Sequence, residues 1–244
     1  MTQPSVRVRS ASTGVGGTRA VVVVLYGGKP RSLAPSRPWH LSAVRMVPFA
    51  RSIHDAGADQ GIAVWTLRYR YRGWNEPAES PVADARWALD EVRRRHGDVP
   101  VVLVGHSMGG RTALRVAGDP SVRGLVALAP WLPPDEPVEQ LRDRSMLIMH
   151  GSRDRWTDPG ASLDLARRAA SVTSVRRVEV KGVGHPMLRR ASVWHDLTTQ
   201  FVLSRLDQSD RADRADRADR ADQSTEQMGT NHSYGIPTGI FQQI

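Results

Sequence analysis

VVLVGHSMGGRTAL, residues 101–114, is the stretch on which the fold turns. Val101-Val102-Leu103-Val104 run without a charge into Gly105-His106-Ser107-Met108-Gly109-Gly110, and a helix-forming segment, 111–117, follows. A short continuous apolar run bounded by glycine fits a strand buried on both faces of a parallel sheet. A serine sits at the junction, with one glycine two residues before it and another two residues after. A sharp strand-to-helix turn strains the backbone of the residue at its apex, and bulky Cβ atoms on either side would clash. Gly105 and Gly109 remove them. Such a turn lifts the Ser107 hydroxyl above the carboxyl edge of a sheet and points the first amides of the helix toward whatever that hydroxyl meets. The spacing G-x-S-x-G, after a strand and before a helix, is that of a nucleophile elbow.

The same grammar recurs outward from this point. Apolar runs at 20–25, 62–67, 99–104, 125–128, 145–149 and 175–180 each end at or near Gly or Pro. Helical patterns fall between them, at 44–56, 82–95, 111–117, 159–170 and 192–206, with Pro81 and Pro159 suited to first turns. Strands alternating with helices predict an α/β domain over 20–206 with a mostly parallel central sheet and right-handed crossovers. Residues 1–19 are set aside as an N-terminal segment. From Asp210 to Asp222 the chain reads DRADRADRADRAD. A period of three builds no apolar face, so 207–244 is expected to be a solvated linker or marginal helix grading into a disordered tail.

The net charge of +9 invites a nucleic-acid reading. However, only Lys29 and Lys181 among the 34 basic residues are lysines, and the arginines are spread along the chain. This is read as coding-sequence composition, and no nucleic-acid partner is expected. No run reaches the ~18 apolar residues of a membrane helix. The N-terminal MTQPSVRVRSAS holds no apolar signal core, so neither secretion nor a membrane is expected and the cytoplasm is. The absence of cysteine excludes disulfides and cysteine-bound zinc. Gly14-x-Gly16-Gly17 lacks a preceding strand, Gly28-Lys29 lacks the upstream glycine of a phosphate loop, and no H-E-x-x-H spacing occurs. No metal or cofactor is expected.

On its GHSMGG hexapeptide the chain resembles the α/β-hydrolase superfamily, over about residues 20–206. That resemblance implies an α/β-hydrolase fold with a catalytic base, an acid and an oxyanion hole beside Ser107. A neutral serine hydroxyl needs a base near pH 7. Of eight histidines, His185 in Lys181-Gly182-Val183-Gly184-His185-Pro186 follows the final strand, where the family places its base. His106, next to the serine, is expected to point away, and His150, at a strand end, to pack or bond locally. Asp154 follows a strand in the G-x-x-D context of the family's acid. Asp158 is its rival, better suited to capping a helix that opens at Pro159. The Met108 N–H is one expected oxyanion donor. The second lies at Tyr26-Gly27-Gly28-Lys29, where many relatives have His-Gly; Gly28 is preferred and Lys29 is the alternative.

The interval 131–144 is too short for a lid of several helices, so a nearly lidless site is expected. Tyr26, Trp131, Trp156 and Met187 are candidates for an apolar pocket, while Lys29, Arg153 and Arg155 favour an anionic substrate. The expectation is a serine hydrolase of small-molecule carboxylic esters acting through an acyl-enzyme. A peptidase or thioesterase of the same fold, or a ligand-binding relative without turnover, stands as the alternative.

Overall fold

The computed structural model describes residues 3–12 and 17–229, with side chains through Arg211. Gly14 and Gly16, and the chain beyond 229, lie outside the described residues. The chain forms two compact units, Met1–Asp207 and Gln208–Ile244.

The first unit is built on a sheet whose described strands are β1 (Ser5–Arg9), β2 (Ala20–Leu25), β3 (Ile62–Arg68), β4 (Val101–His106), β5 (Val122–Leu128), β6 (Ser145–Gly151) and β7 (Val175–Val180). Their order is β1-β3-β2-β4-β5-β6-β7, all parallel except β1, which runs antiparallel to β3. The central strands β2 and β4 are buried at every position, as continuous Val/Leu runs require. The helices are α1 (Leu41–Arg45), α2 (Val47–Gly57), α3 (Ser80–His96), α4 (Met108–Val116), α5 (Pro159–Ala169) and α6 (Ala191–Gly229).

Strand β1 belongs to the segment set aside as 1–19. It lies at a sheet edge with Val6 opposite Leu67 and Val8 opposite Trp65. Only Val6 and Val8, alternating with Arg7 and Arg9, mark it in the sequence, because an edge strand needs just one apolar face. At the other end, α6 continues past residue 206 to Gly229. Its Asp and Arg residues recur at the i,i+4 spacing that favours helix, although they supply no apolar face. No described helix is long and apolar enough to cross a membrane.

Topology places the crevice. The connection from β2 runs to β3 on one side, and that from β4 runs to β5 on the other. The order reverses between β2 and β4, so the loops leaving their carboxyl ends diverge and open a gap. Gly27 and Gly28 follow β2, and Ser107 follows β4, with Leu25 and Gly105 in register just below.

Among the described residues no lid covers this edge. The interval 131–144 holds one short 3-10 turn, Glu139–Leu141, and is pinned from beneath. The fully buried Glu136 accepts from Arg111 Nε at 2.7 Å and Arg115 Nε at 2.5 Å. Arg168 donates to its backbone carbonyl at 2.8 Å. The Arg111 guanidinium lies over Trp74 at 4.1 Å and Trp131 at 5.0 Å from the ring centres, so one charged group fixes a tryptophan of the site. Removing one partner from a buried ion cluster leaves unpaired charge. Glu136→Ala is therefore expected to lower unfolding stability by about 3–5 kcal/mol, measured by urea denaturation.

Candidate active site

Ser107 sits at φ 55° and ψ −119°, a conformation that non-glycine residues adopt only when the surroundings impose it. Here they do. The Ser107 N–H donates to Leu128 O at 2.9 Å, and its carbonyl accepts from Gly110, Trp131 and Arg111 N–H groups at 3.0, 3.1 and 3.2 Å. A Cβ on Gly105 would lie 2.1 Å from Gly109 O, and one on Gly109 would lie 2.2 Å from Leu25 O. Both glycines are thus required by close packing of β2, β4 and α4.

Met108 supplies the first amide of α4, which has no carbonyl partner within the helix. Across the gap, the Lys29 N–H donates to Arg72 O at 2.8 Å. That removes Lys29 as an amide donor and leaves Gly28, whose N–H has no partner among the described residues. Gly28 backs directly onto Met108, since a Cβ there would lie 2.5 Å from Met108 Sδ. Two unengaged amides therefore flank Ser107, an arrangement able to hold a developing oxyanion.

His185 Nδ1 lies 2.8 Å from Asp154 Oδ2. The side chain of Asp154 is shut off from solvent, yet its acceptor capacity is filled. Oδ1 accepts the Trp156 and Thr157 N–H groups at 2.8 and 3.0 Å, and Oδ2 accepts the Thr157 hydroxyl at 2.8 Å. Burial alone would raise its pKa, but the hydrogen bonds from His150, His185 and these amides outweigh that and hold it well below the usual carboxylate range. An ionised Oδ2 fixes the Nδ1–H tautomer of His185 and leaves Nε2 free to accept a proton. Asp158, the rival, caps α5 by accepting from Gly160 N–H at 2.7 Å.

Of two further histidines, one packs and bonds locally as expected and the other does not point away. His150 is fully buried, with Nε2 3.2 Å from Asp154 Oδ2 and 3.2 Å from Thr157 Oγ1. It is a second imidazole on the same carboxylate, which the loop leaving β6 folds back over. His106 does not point away. Its ring centre lies 4.7 Å from that of His185, and its Nε2 donates to His185 O at 3.2 Å. Burial first, then the charges of His185 and Arg45, push its pKa down to about 3, so it is neutral and props the His185 loop.

Ser107, His185, Gly28, Met108, Trp131 and Trp156 line one cavity of about 330 Å³. The Trp156 ring lies 5.2 Å from His185. Met187 does not join that lining, and Tyr26 lines an adjoining cavity of about 530 Å³ instead. The Tyr26 hydroxyl bonds Ser36 Oγ at 2.7 Å and accepts the Tyr69 N–H at 3.2 Å. Met187 is buried in the hydrophobic core. Arg153 and Arg155 also lie outside the cavity lining, whereas Arg45, not singled out in the sequence, lies within it.

A strained serine, a buried acid–imidazole pair and a cleft at the strand-order reversal define a hydrolase of the α/β class. The model of the alpha/beta hydrolase family matches residues 22–237, and the chain belongs to that family. Comparison with curated protein sequences gives no match. Among solved structures, the chain is similar to the thermophilic esterase Est2 of Thermogutta terrifontis bound to propionate (17% identity, 82% of this chain and 88% of that one, TM-score 0.64). It is also similar to an α/β serine hydrolase without a lid from Xanthomonas campestris (18%, 82% and 88%, TM-score 0.57). A third is Est1E of Butyrivibrio proteoclasticus with ferulic acid bound (12%, 83% and 95%, TM-score 0.59). At these identities the likeness is one of fold.

The buried His106 ties the site to stability. Unfolded, an imidazole takes up a proton below about 6.5; folded, His106 does so only near 3. Between these values the unfolded state binds one more proton, so stability falls as pH falls, by about 3 kcal/mol at pH 4 from this group. Asp154 adds a loss in the same direction at still lower pH. Urea titrations at pH 7, 5.5 and 4 are expected to show a shallower decline for His106→Gln than for the parent chain.

Proposed function

We propose that the chain is a serine esterase that hydrolyses small-molecule carboxylic esters through an acyl-enzyme. The observation that carries this is the His185–Asp154 pair, 2.8 Å apart and buried, in the cavity of a serine held at positive φ. The esterases among the structural neighbours support the choice of ester.

In this reading the Ser107 oxygen attacks the ester carbonyl carbon while its proton passes to His185 Nε2. Charge gathers on the carbonyl oxygen, where the Gly28 and Met108 amides meet it; each such donor contributes roughly 3–4 kcal/mol in comparable sites. The C–O bond breaks, and the leaving alkoxide takes the proton from His185. Water, deprotonated by the same nitrogen, then attacks the acyl carbon; the bond between that carbon and the Ser107 oxygen breaks, the carboxylic acid leaves, and His185 returns the proton to Ser107. Asp154 stabilises the imidazolium that forms in each half-reaction and stays ionised throughout. His150 and Thr157 hold Asp154 in place, and no cofactor takes part.

Ser107→Ala is expected to lower kcat for 4-nitrophenyl acetate at least ~1,000-fold and to abolish labelling by a fluorophosphonate probe. A folded parent chain that gives no adduct on Ser107 would overturn the reading. Asp154→Asn disturbs the tautomer as well as the charge. It should cost about a thousandfold or more in kcat while leaving KM within a few-fold.

A further inference from the structure

The cleft above Ser107 is unbalanced in charge. Lys29 and Arg45 line it, and no carboxylate does. An adjoining cavity of about 530 Å³ shares Lys29, Leu41, Ser42 and Trp156 with it and adds Arg72 and His40, again without a carboxylate. The two cavities meet at these shared residues, and both carry cationic and tryptophan lining.

Several buried or half-buried arginines elsewhere are paired with carboxylates. Arg70 is bound to Asp84, Arg93 to Asp119, and Arg111 and Arg115 to Glu136. Arg45 is different. It closes α1, is half-buried, and its Nε is cut off from solvent with no hydrogen-bond partner among the described residues. Arg177 and Arg205 also bury an Nε without a partner, but each donates through Nη, to Pro159 O and Ser145 Oγ. Arg45 has no hydrogen bond or carboxylate partner among the described residues, so the terminal N–H groups of a guanidinium at this cavity are left for an acceptor supplied from outside. The charges also act together. His40 is held below the usual imidazole range by burial and then by Arg72, Arg37 and Lys29.

Because Arg45 and Ser107 line the same small cavity, an anion on the one and an ester carbonyl at the other belong to one compact molecule. We propose that the substrate is an ester carrying an anionic oxygen group, a carboxylate or a phosphate, a few bonds from the scissile carbonyl. Arg45 grips that group, Lys29 guides it at the mouth, and Trp131 and Trp156 take the uncharged remainder. The planar guanidinium fork suits either group, since both present paired oxygens. This inference rests on the ester-hydrolase reading above and names the substrate class of that site.

The test compares kcat/KM for mono-4-nitrophenyl succinate and glutarate with that for 4-nitrophenyl butyrate and valerate, after labelling by a fluorophosphonate confirms an active Ser107. The expected result is an anionic-to-neutral preference of about tenfold or more at low salt, shrinking as ionic strength rises. Arg45→Gln is expected to bring that ratio close to one, and Arg45→Lys to restore part of it. The salt dependence is measured on the unaltered chain, so the inference stays testable if an Arg45 variant fails to fold. Glutarate and inorganic phosphate, tried as competitive inhibitors of neutral-ester hydrolysis, separate the two sources of the anion; the one that inhibits at lower concentration names it. A labelled enzyme with no anionic preference at any salt overturns this inference and leaves the esterase reading standing. A folded chain without a Ser107 adduct overturns both.

Discussion

The backbone of Ser107 is the constraint from which the rest of the site follows. A residue at φ 55° relaxes unless the lattice around it forbids relaxation, and strain of this kind costs about 1–3 kcal/mol. A hydrogen bond from its N–H to Leu128 O, and bonds to its carbonyl from Gly110, Arg111 and Trp131, hold it. These partners come from β5, from α4 and from the loop that follows β5, so the posture is a property of the packed sheet and not of the hexapeptide alone. Strand order does the rest: the reversal between β2 and β4 opens the gap into which both the serine and the Gly27-Gly28 loop emerge.

Behind the reacting face lies a second layer whose members are almost all internal. Asp154 could not remain ionised in a site closed to water without its full set of donors, and the structure provides amides, a hydroxyl and two imidazoles. Such networks stabilise only when complete, because each buried group left unpaired incurs the full cost of its lost solvation. Thr157 is the joint. Its hydroxyl reaches Asp154, His150 and His185 within 3.2 Å, so one small side chain sets the relative positions of the acid and the base. The neutral His106 completes the arrangement from below, bonding a backbone carbonyl and adding no competing charge beside the imidazolium that would form on His185.

The sheet and the chain order of Ser107, Asp154 and His185 were legible because they rest on local rules: continuous apolar runs for buried strands, glycine where backbones touch, and loop residues after strands. What the sequence hid depends on long-range packing. Strand β1 shows as two valines among arginines, since its other face meets water. Tyr26 follows a central strand and lines the neighbouring cavity, while its hydroxyl is engaged by Ser36 and Tyr69. Met187 sits in a loop beside the base and is drawn into the core for its apolar bulk. His150 was visible as a residue, but its role required knowing that β6 ends beneath the acid. That the Lys29 amide is already engaged, by Arg72 O, likewise depends on a residue far away in sequence.

Arginine shows this divide most plainly, because composition assigns every copy the same charge and the structure does not. Arg111 lies between two tryptophans and against Glu136; its charge is cancelled on site, and its contribution is to hold Trp131 at the cleft. The exposed pairs along α3, such as Arg94 with Glu91, are screened by solvent and say little about function. Arg45, half-buried, and Lys29, exposed at the mouth, have no carboxylate partner among the described residues and share a position at one cavity. Unpaired charge in such a place projects its field along the cleft instead of into solvent. In a protein this rich in arginine, the net charge of +9 is therefore the wrong quantity to read for a partner. The informative one is the small uncompensated remainder that faces the serine.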